Sequence, residues 1–450
     1  MKSHTDKQTL TDAVYCTDGH IVRGSITIEH GTISHLGAAA ETDFAAATES
    51  HNGRPAAIIL PGIIDTHVHT REPGLTHKGD LATETHAAAA GGVTSVMDMP
   101  NVVPQTTSLQ LLQERTELGA RHAFVNYSFL FGATASNVSQ LRELNPEQVP
   151  AVKLFMGSST GDMLVDGSDA LHAIFRESPL PIVAHCESQP VIADNLKAIQ
   201  AKAGADPDVA YHHEIRSRQA CIASSQTAIE LSRQTGTRLH IAHITTAEEL
   251  NLPHPAHVTM EACVPHLLFT DADYARLGTR IKCNPAIKTA HDRDELRRAL
   301  SDGRIASVAT DHAPHLLAEK QGGCVRAASG MPMVQFSLVA MLDLVEQGIL
   351  SLPRMVHLMC HQPAAIFAIA GRGHIAEGMQ ADLVRVERQA WQLAASDVVS
   401  RCGWSPLEGH RFAWKVAQTW VNGCLAYENG LFAPTNSHAM ALRFNQQTAL

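Results

Sequence analysis

The chain has 450 residues, 44% of them hydrophobic, enough for one large domain with an appendage or for two to three ordinary domains. A formal net charge of −10 with no basic block argues against nucleic acid as a partner and reads as a solubility feature. No apolar run approaches the roughly 18 residues that span a bilayer, and the polar start from Met1 to Lys7 leads into no export signal, so a cytoplasmic protein is expected. Nine scattered cysteines with no C-x-x-C pair fit a reducing compartment.

In chain order, residues 12 to 57 read as short strands with turns, at Ala13–Tyr15, Ser25–Ile28 and Gly31–Ile33. A buried-type strand follows over Ala56–Asp65 and runs into His67-Val68-His69. In extended backbone, residues two apart share a side, so both imidazoles can reach one metal ion. Arg71 continues the series and sets a bidentate cation beside that ion, suited to a substrate carboxylate. An alanine-rich helix is expected from about Lys78 to Ala90, stopped by Gly91-Gly92. Further strands are expected at Val93–Met99, Ala123–Leu130, Val149–Phe155, Pro181–Cys186, Leu239–Ile244, Val258–Val264 and Ile305–Thr310, with the clearest helix from about Asp208 to Gln234. Residues 375 to 435 return to short strands, and the polar stretch from about Thr435 is expected to be loose.

Eight apolar strands alternating with helices over roughly 250–320 residues predict an α/β fold, a (β/α)8 TIM-like barrel. An open doubly wound sheet is the competitor, but no Gly-rich phosphate loop supports it. The expected division is a barrel over residues 58–374 and a small β-sandwich from residues 1–57 plus 375–440, since neither flank has enough apolar area to stand alone.

Barrel enzymes build their sites at the C-terminal strand ends. Those ends carry His67 and His69, Lys153, His185, His243 and Asp311. Five strand ends agreeing points to a metal site. Lys153 is the odd member, because an ammonium ion repels a metal and is disfavoured inside an apolar strand. It is either a cation paired with a carboxylate or a neutral amine converted by carbon dioxide to a bridging carbamate.

This pattern resembles the amidohydrolase superfamily and, within it, dihydroorotases with a binuclear centre. The similarity runs from about Ala56 to Val386, ending in a Gly373–Leu383 segment like that which leads such chains into the terminal β-domain. The resemblance implies a deformed barrel and two metal ions held by His67, His69, Lys153, His185, His243 and Asp311. Zinc is expected from the nitrogen and oxygen donors, with Lys153 as a carboxylated bridge. It also implies that Arg71, Asn101 of Met99-Pro100-Asn101 and His315 hold the substrate carboxylate, and that Asn284 of Cys283-Asn284-Pro285 contacts the ring amide. The Lys153–Gly161 segment is similar to the dihydroorotase form as well.

The implied reaction is reversible hydrolysis of dihydroorotate to N-carbamoyl-aspartate, run toward ring closure in pyrimidine biosynthesis, with Asp311 moving the proton. A small-molecule substrate, a homodimer and association with aspartate transcarbamoylase are the partners the resemblance suggests. The rivals are another cyclic amidase, either an allantoinase or a hydantoinase, and a catalytically silent scaffold. One departure stands out: Gly322–Gly330 lacks the tyrosine and A-P-S-G segment of many relatives. His266 and His312 read as structural or supporting residues rather than ligands.

Overall fold

The computed structural model describes residues 7–50, 55–157, 163–435 and 438–446. The polar start through Asp6 and the Ser158–Gly161 part of the fourth-strand motif lie outside them. Eight parallel strands form the central ring: Ile63–Val68, Val93–Asp98, Asn126–Phe129 with its continuation Phe131–Gly132, Val152–Phe155, Ile182–His185, Leu239–Ile241, Val258–Cys263 and Ser307–Ala309. The last strand returns to the first through a parallel bridge between Val68 and His312, with the His69 amide donating to the His312 carbonyl at 2.7 Å. The ring is a (β/α)8 barrel, and nearly every strand residue is buried because helices cover the outer face.

Several elements differ from expectation. The apolar run Ala56–Asp65 is two strands, Ala57–Pro61 and Ile63–Val68, which belong to different sheets. Gly62 is the break. A Cβ there would lie 2.2 Å from Thr94 Oγ1, so only glycine lets the chain cross the second barrel strand so closely. The helix expected from Lys78 starts at Leu81, because the Asp80 side chain accepts from the Thr83 amide at 2.7 Å and caps it. The long helix expected over Asp208–Gln234 is interrupted: a short turn at Val209–Tyr211 and His212–Ile215 precede the helix proper, Arg218–Thr235. At the interruption Arg216 turns inward to pair with Glu187.

Both chain ends build the small domain. Its eight strands form one continuous sheet in the order Leu431–Phe432, Cys424–Glu428, Lys415–Val421, Leu383–Glu387, Ala57–Pro61, Gln8–Thr17, His20–Glu29, Thr32–Glu41. All neighbours are antiparallel except Gln8–Thr17 beside Ala57–Pro61. The three N-terminal strands are 10 residues each, longer than the short runs expected, since bulges let them continue through polar positions.

Residues 438–446 of the C-terminal stretch are anchored rather than loose. Leu442 and Phe444 are 2% and 1% exposed and pack against Ile64, Met97, Val183 and Phe367. Gln446 donates to the carbonyls of Pro150 (2.9 Å) and Phe367 (3.1 Å). The tail therefore plugs the barrel at the N-terminal ends of its strands, opposite the expected site. Phe444→Ala should lower stability by about 3–5 kcal/mol, read as a fall in the thermal unfolding midpoint; an unchanged midpoint would show that the plug carries no stability. Among the described residues no helix is long and apolar enough to cross a membrane.

Candidate active site

All ten residues singled out in the sequence line one cavity of about 400 Å³ at the C-terminal strand ends. A cavity of about 460 Å³ beside the tail, lined by residues such as Leu109, Tyr127 and Leu442, gathers no comparable set of ligand groups.

The ligand nitrogens are aimed by partners behind them. His67 Nδ1 lies 2.9 Å from Glu261 and turns Nε2 toward Asp311 at 3.4 Å. His69 Nδ1 lies 2.7 Å from Asn101 Oδ1 and turns Nε2 toward the same Asp311 oxygen at 3.1 Å. His185 Nε2 lies 2.9 Å from Glu187, whose charge is also met by Arg216, and turns Nδ1 toward His243 Nε2 at 3.0 Å. The oxygens behind these three imidazoles accept the ring N–H, which fixes the tautomer and leaves the other nitrogen's lone pair facing the cavity.

Ligand atoms of His67, His69 and Asp311 lie within 4.8 Å of one another, close enough to share one ion. His67, Glu261 and Cys263 are equally close, but Glu261 sits behind the His67 ring and burial pushes the Cys263 thiol well up, so this trio reads as support. Burial lowers His69 to about 4 and holds His185 and His243 below their ordinary range. Neutral imidazoles are the form that binds a metal. Burial alone would raise the Asp311 carboxyl, but His67, His69 and His243 hold it low.

Lys153 is 1% exposed, and its Nζ has no hydrogen-bond partner among the described residues; His243 Nδ1 is likewise unpartnered. Burial lowers Lys153 from its usual value, favouring the neutral amine. Two orphaned nitrogens among neutral imidazoles and one carboxylate fit a cationic occupant, because buried polar atoms rarely go unpaired.

Three site residues have left-handed backbones: Arg71 (φ 74°), His243 (φ 39°) and Asp311 (φ 48°). Such strain persists only where neighbours hold it. Asp98, paired with Arg115, accepts from the Thr70 amide at 3.0 Å. Asp65 accepts from the Thr310 hydroxyl at 2.6 Å and from the His67 amide at 3.2 Å.

Arg71 is 6% exposed and donates through Nε to the Pro314 carbonyl at 3.0 Å. Its Nη2 lies 3.1 Å from His315 Nε2, while Lys78 Nζ reaches His315 Nδ1 at 3.1 Å. Lys78 has a carboxylate partner, Glu319, at 2.8 Å. Arg71 has none within 4.0 Å among the described residues. Asn284 Oδ1 lies 3.1 Å from His212 Nε2, which orients the amide at the cavity wall. His312, outside the cavity lining, accepts from the Met333 amide at 3.1 Å and meets Glu84 at 2.9 Å; His266 meets the Pro285 carbonyl at 3.1 Å. Both are held by neighbouring groups and lie outside the cavity lining.

Sequence reasoning passed over Glu187, Glu261, Arg216, Lys282 and Lys320. Glu187 stands two residues after His185, and Glu261 is a charge inside an apolar strand, the same signal that marks Lys153. Lys282 and Lys320 have no such signal.

A model of the amidohydrolase family matches residues 58–425. A dihydroorotase of Halobacterium salinarum is 34% identical over 385 residues, covering 82% of this chain and 86% of that protein. An allantoinase of Bacillus velezensis is 27% identical over 92% of each. The solved L-hydantoinase (dihydropyrimidinase) of Arthrobacter aurescens superposes with a TM-score of 0.89 at 25% identity, over 97% of this chain and 99% of that one.

Proposed function

The chain belongs to the amidohydrolase family, and from that premise we propose that it is a dihydroorotase, interconverting dihydroorotate and N-carbamoyl-aspartate in pyrimidine biosynthesis. The relatives support a hydrolase of cyclic amides. The observation that carries the narrower reading is Arg71, a buried guanidinium beside the ligand cluster with no carboxylate within 4.0 Å among the described residues. An unpaired buried charge is unfavourable, and an anionic ring relieves it where a neutral hydantoin or allantoin does not. The 34% identity to a dihydroorotase points the same way.

His67, His69 and Asp311 would hold one divalent cation, and His185 and His243 a second, with carboxylated Lys153 between them; zinc suits these donors. Bound there, the pair supplies a water of lowered pKa and polarises the scissile carbonyl. The protein's own groups do the rest. Arg71 takes the substrate carboxylate, with Asn101 and His315 beside it, and Asn284 faces the ring amide. Asp311 accepts the proton from the attacking water and passes it to the leaving amide nitrogen as the carbon–nitrogen bond breaks. Ring closure reverses each step. Nine cysteines, all free, suit work in the cytoplasm.

The test is ultraviolet absorbance of the metal-loaded protein with dihydroorotate, allantoin and hydantoin in parallel. Turnover of either neutral ring, with none of dihydroorotate, overturns the assignment. Arg71→Met should cost about 2–4 kcal/mol in transition-state binding, roughly 30- to 1,000-fold in kcat/KM for dihydroorotate, with metal content unchanged. An unaltered kcat/KM in a metal-replete variant removes Arg71 from the site.

A further inference from the structure

The segment Ala327–Gly330 forms a strap along the cavity wall, and all four of its carbonyls are held by basic side chains. Lys282 Nζ donates to Ala327, Lys320 Nζ to Ala328 at 2.7 Å, and His315 Nε2 lies 3.1 Å from the Ser329 oxygen. Lys320 donates again to Gly330 at 2.7 Å, and also to the Lys282 carbonyl at 3.0 Å. Lys320 is 1% exposed, and no carboxylate lies within 4.0 Å of it among the described residues. Thr279 Oγ1 donates to the Lys320 carbonyl at 2.5 Å and fixes the stem from behind. Three strap amides are spent internally, Ala327 on Gly323, Ala328 on Glu319 and Gly330 on Lys282. The Ser329 amide has no acceptor among the described residues.

We propose that Lys320 is a positioning residue that holds the Ala327–Gly330 strap rigid against the substrate ring, in place of the proline-stiffened segment this chain lacks. The proposal rests on the cyclic-amidase reading. A buried ammonium ion is disfavoured unless its three protons are bonded. Here they are bonded to three carbonyls, two of them in the strap, so the strap cannot move without stranding the charge. Burial, with Lys282 and Arg71 nearby, lowers Lys320 to about 7. The arrangement orders the strap before substrate arrives, so its failure weakens binding rather than proton transfer.

The experiment compares metal-loaded wild type, Lys320→Met and Lys320→Arg by steady-state kinetics, metal analysis and amide hydrogen exchange over residues 323–330. Lys320→Met should raise KM about tenfold or more with kcat within about threefold, speed strap exchange about tenfold and leave metal content unchanged. Lys320→Arg should recover part of the KM. The wild type is first assayed on dihydroorotate, allantoin and hydantoin, and the split is read on whichever ring it opens, so failure of the substrate assignment stays separate from failure of this one. A folded Lys320→Met with KM and strap exchange within about twofold of wild type, or with the loss confined to kcat, overturns the proposal. If Lys320→Met does not fold, Thr279→Val takes its place. It should raise KM about threefold with faster strap exchange, and no change in either overturns the proposal.

Discussion

Lys153→Ala is expected to lose at least about a thousandfold in kcat/KM together with most of its bound metal. The reason lies in the side chain's surroundings. Its nitrogen is buried in the fourth strand with no hydrogen-bond partner among the described residues, beside imidazoles whose burial favours the neutral form. A plain ammonium ion there would be unpaired and would repel a cation. The neutral amine that burial favours is the form that adds carbon dioxide, and a carbamate formed there would turn a misfit into an anionic bridge. Alanine leaves the imidazoles and Asp311 in place but removes the shared ligand. Short-chain carboxylic acids, with added bicarbonate, should restore part of both metal and activity by occupying the vacated space. Metal analysis that finds two ions per chain in Lys153→Ala, with activity near wild type, rejects the bridge.

Asp311→Asn is expected to abolish ring opening and ring closure together, by about a thousandfold or more. Asp311 faces His67 and His69 at 3.4 and 3.1 Å and is the carboxylate at the centre of the cluster. One group that takes a proton in one direction must return it in the other, so no asymmetric loss is available. Ring closure converts a free carboxylate to an imide carbonyl and consumes a proton, so the equilibrium ratio of dihydroorotate to N-carbamoyl-aspartate should rise about tenfold per unit fall in pH above the carboxylate range. The two directions should show opposed pH limbs belonging to the coupled site rather than to Asp311 alone. Asp311→Asn that retains one direction at near wild-type rate would show that another group, with His315 the first candidate, moves the proton.

The candidate ligand residues were legible because their physics is local. His67 and His69 lie two apart in a strand, and Lys153 is a charge inside an apolar run. His185, His243 and Asp311 each end such a run. Barrel order then brought them together. Other features depend on distant partners. Nothing in the unbroken apolar run Ala56–Asp65 reveals that Gly62 hands the chain from one sheet to another; the reason is Thr94, which belongs to the next strand. Leu442 and Phe444 sit in a short mixed tail with no strand or helix period, and only the open floor of the barrel makes them core. Lys282 and Lys320 bond to backbone carbonyls, which carry no residue-type signature. Glu187 and Glu261 were readable by the rule that marked Lys153, since each is a charge placed beside or within an apolar strand.

The mixed origin of the small domain's sheet has a consequence for synthesis. Gln8–Thr17, His20–Glu29 and Thr32–Glu41 leave the ribosome before Ala57–Pro61, but the strands that complete the other half, Leu383–Glu387 and Lys415–Val421, emerge about 320 residues or more later. At about 5–20 residues per second the half-sheet waits roughly 20–70 seconds with the open edge of Ala57–Pro61 unpaired. An open strand edge is a template for another chain. Nascent polypeptides on crowded polysomes should therefore be captured by chaperones over this interval, and slowing translation between residues 61 and 383 should raise the aggregated fraction without altering the finished enzyme.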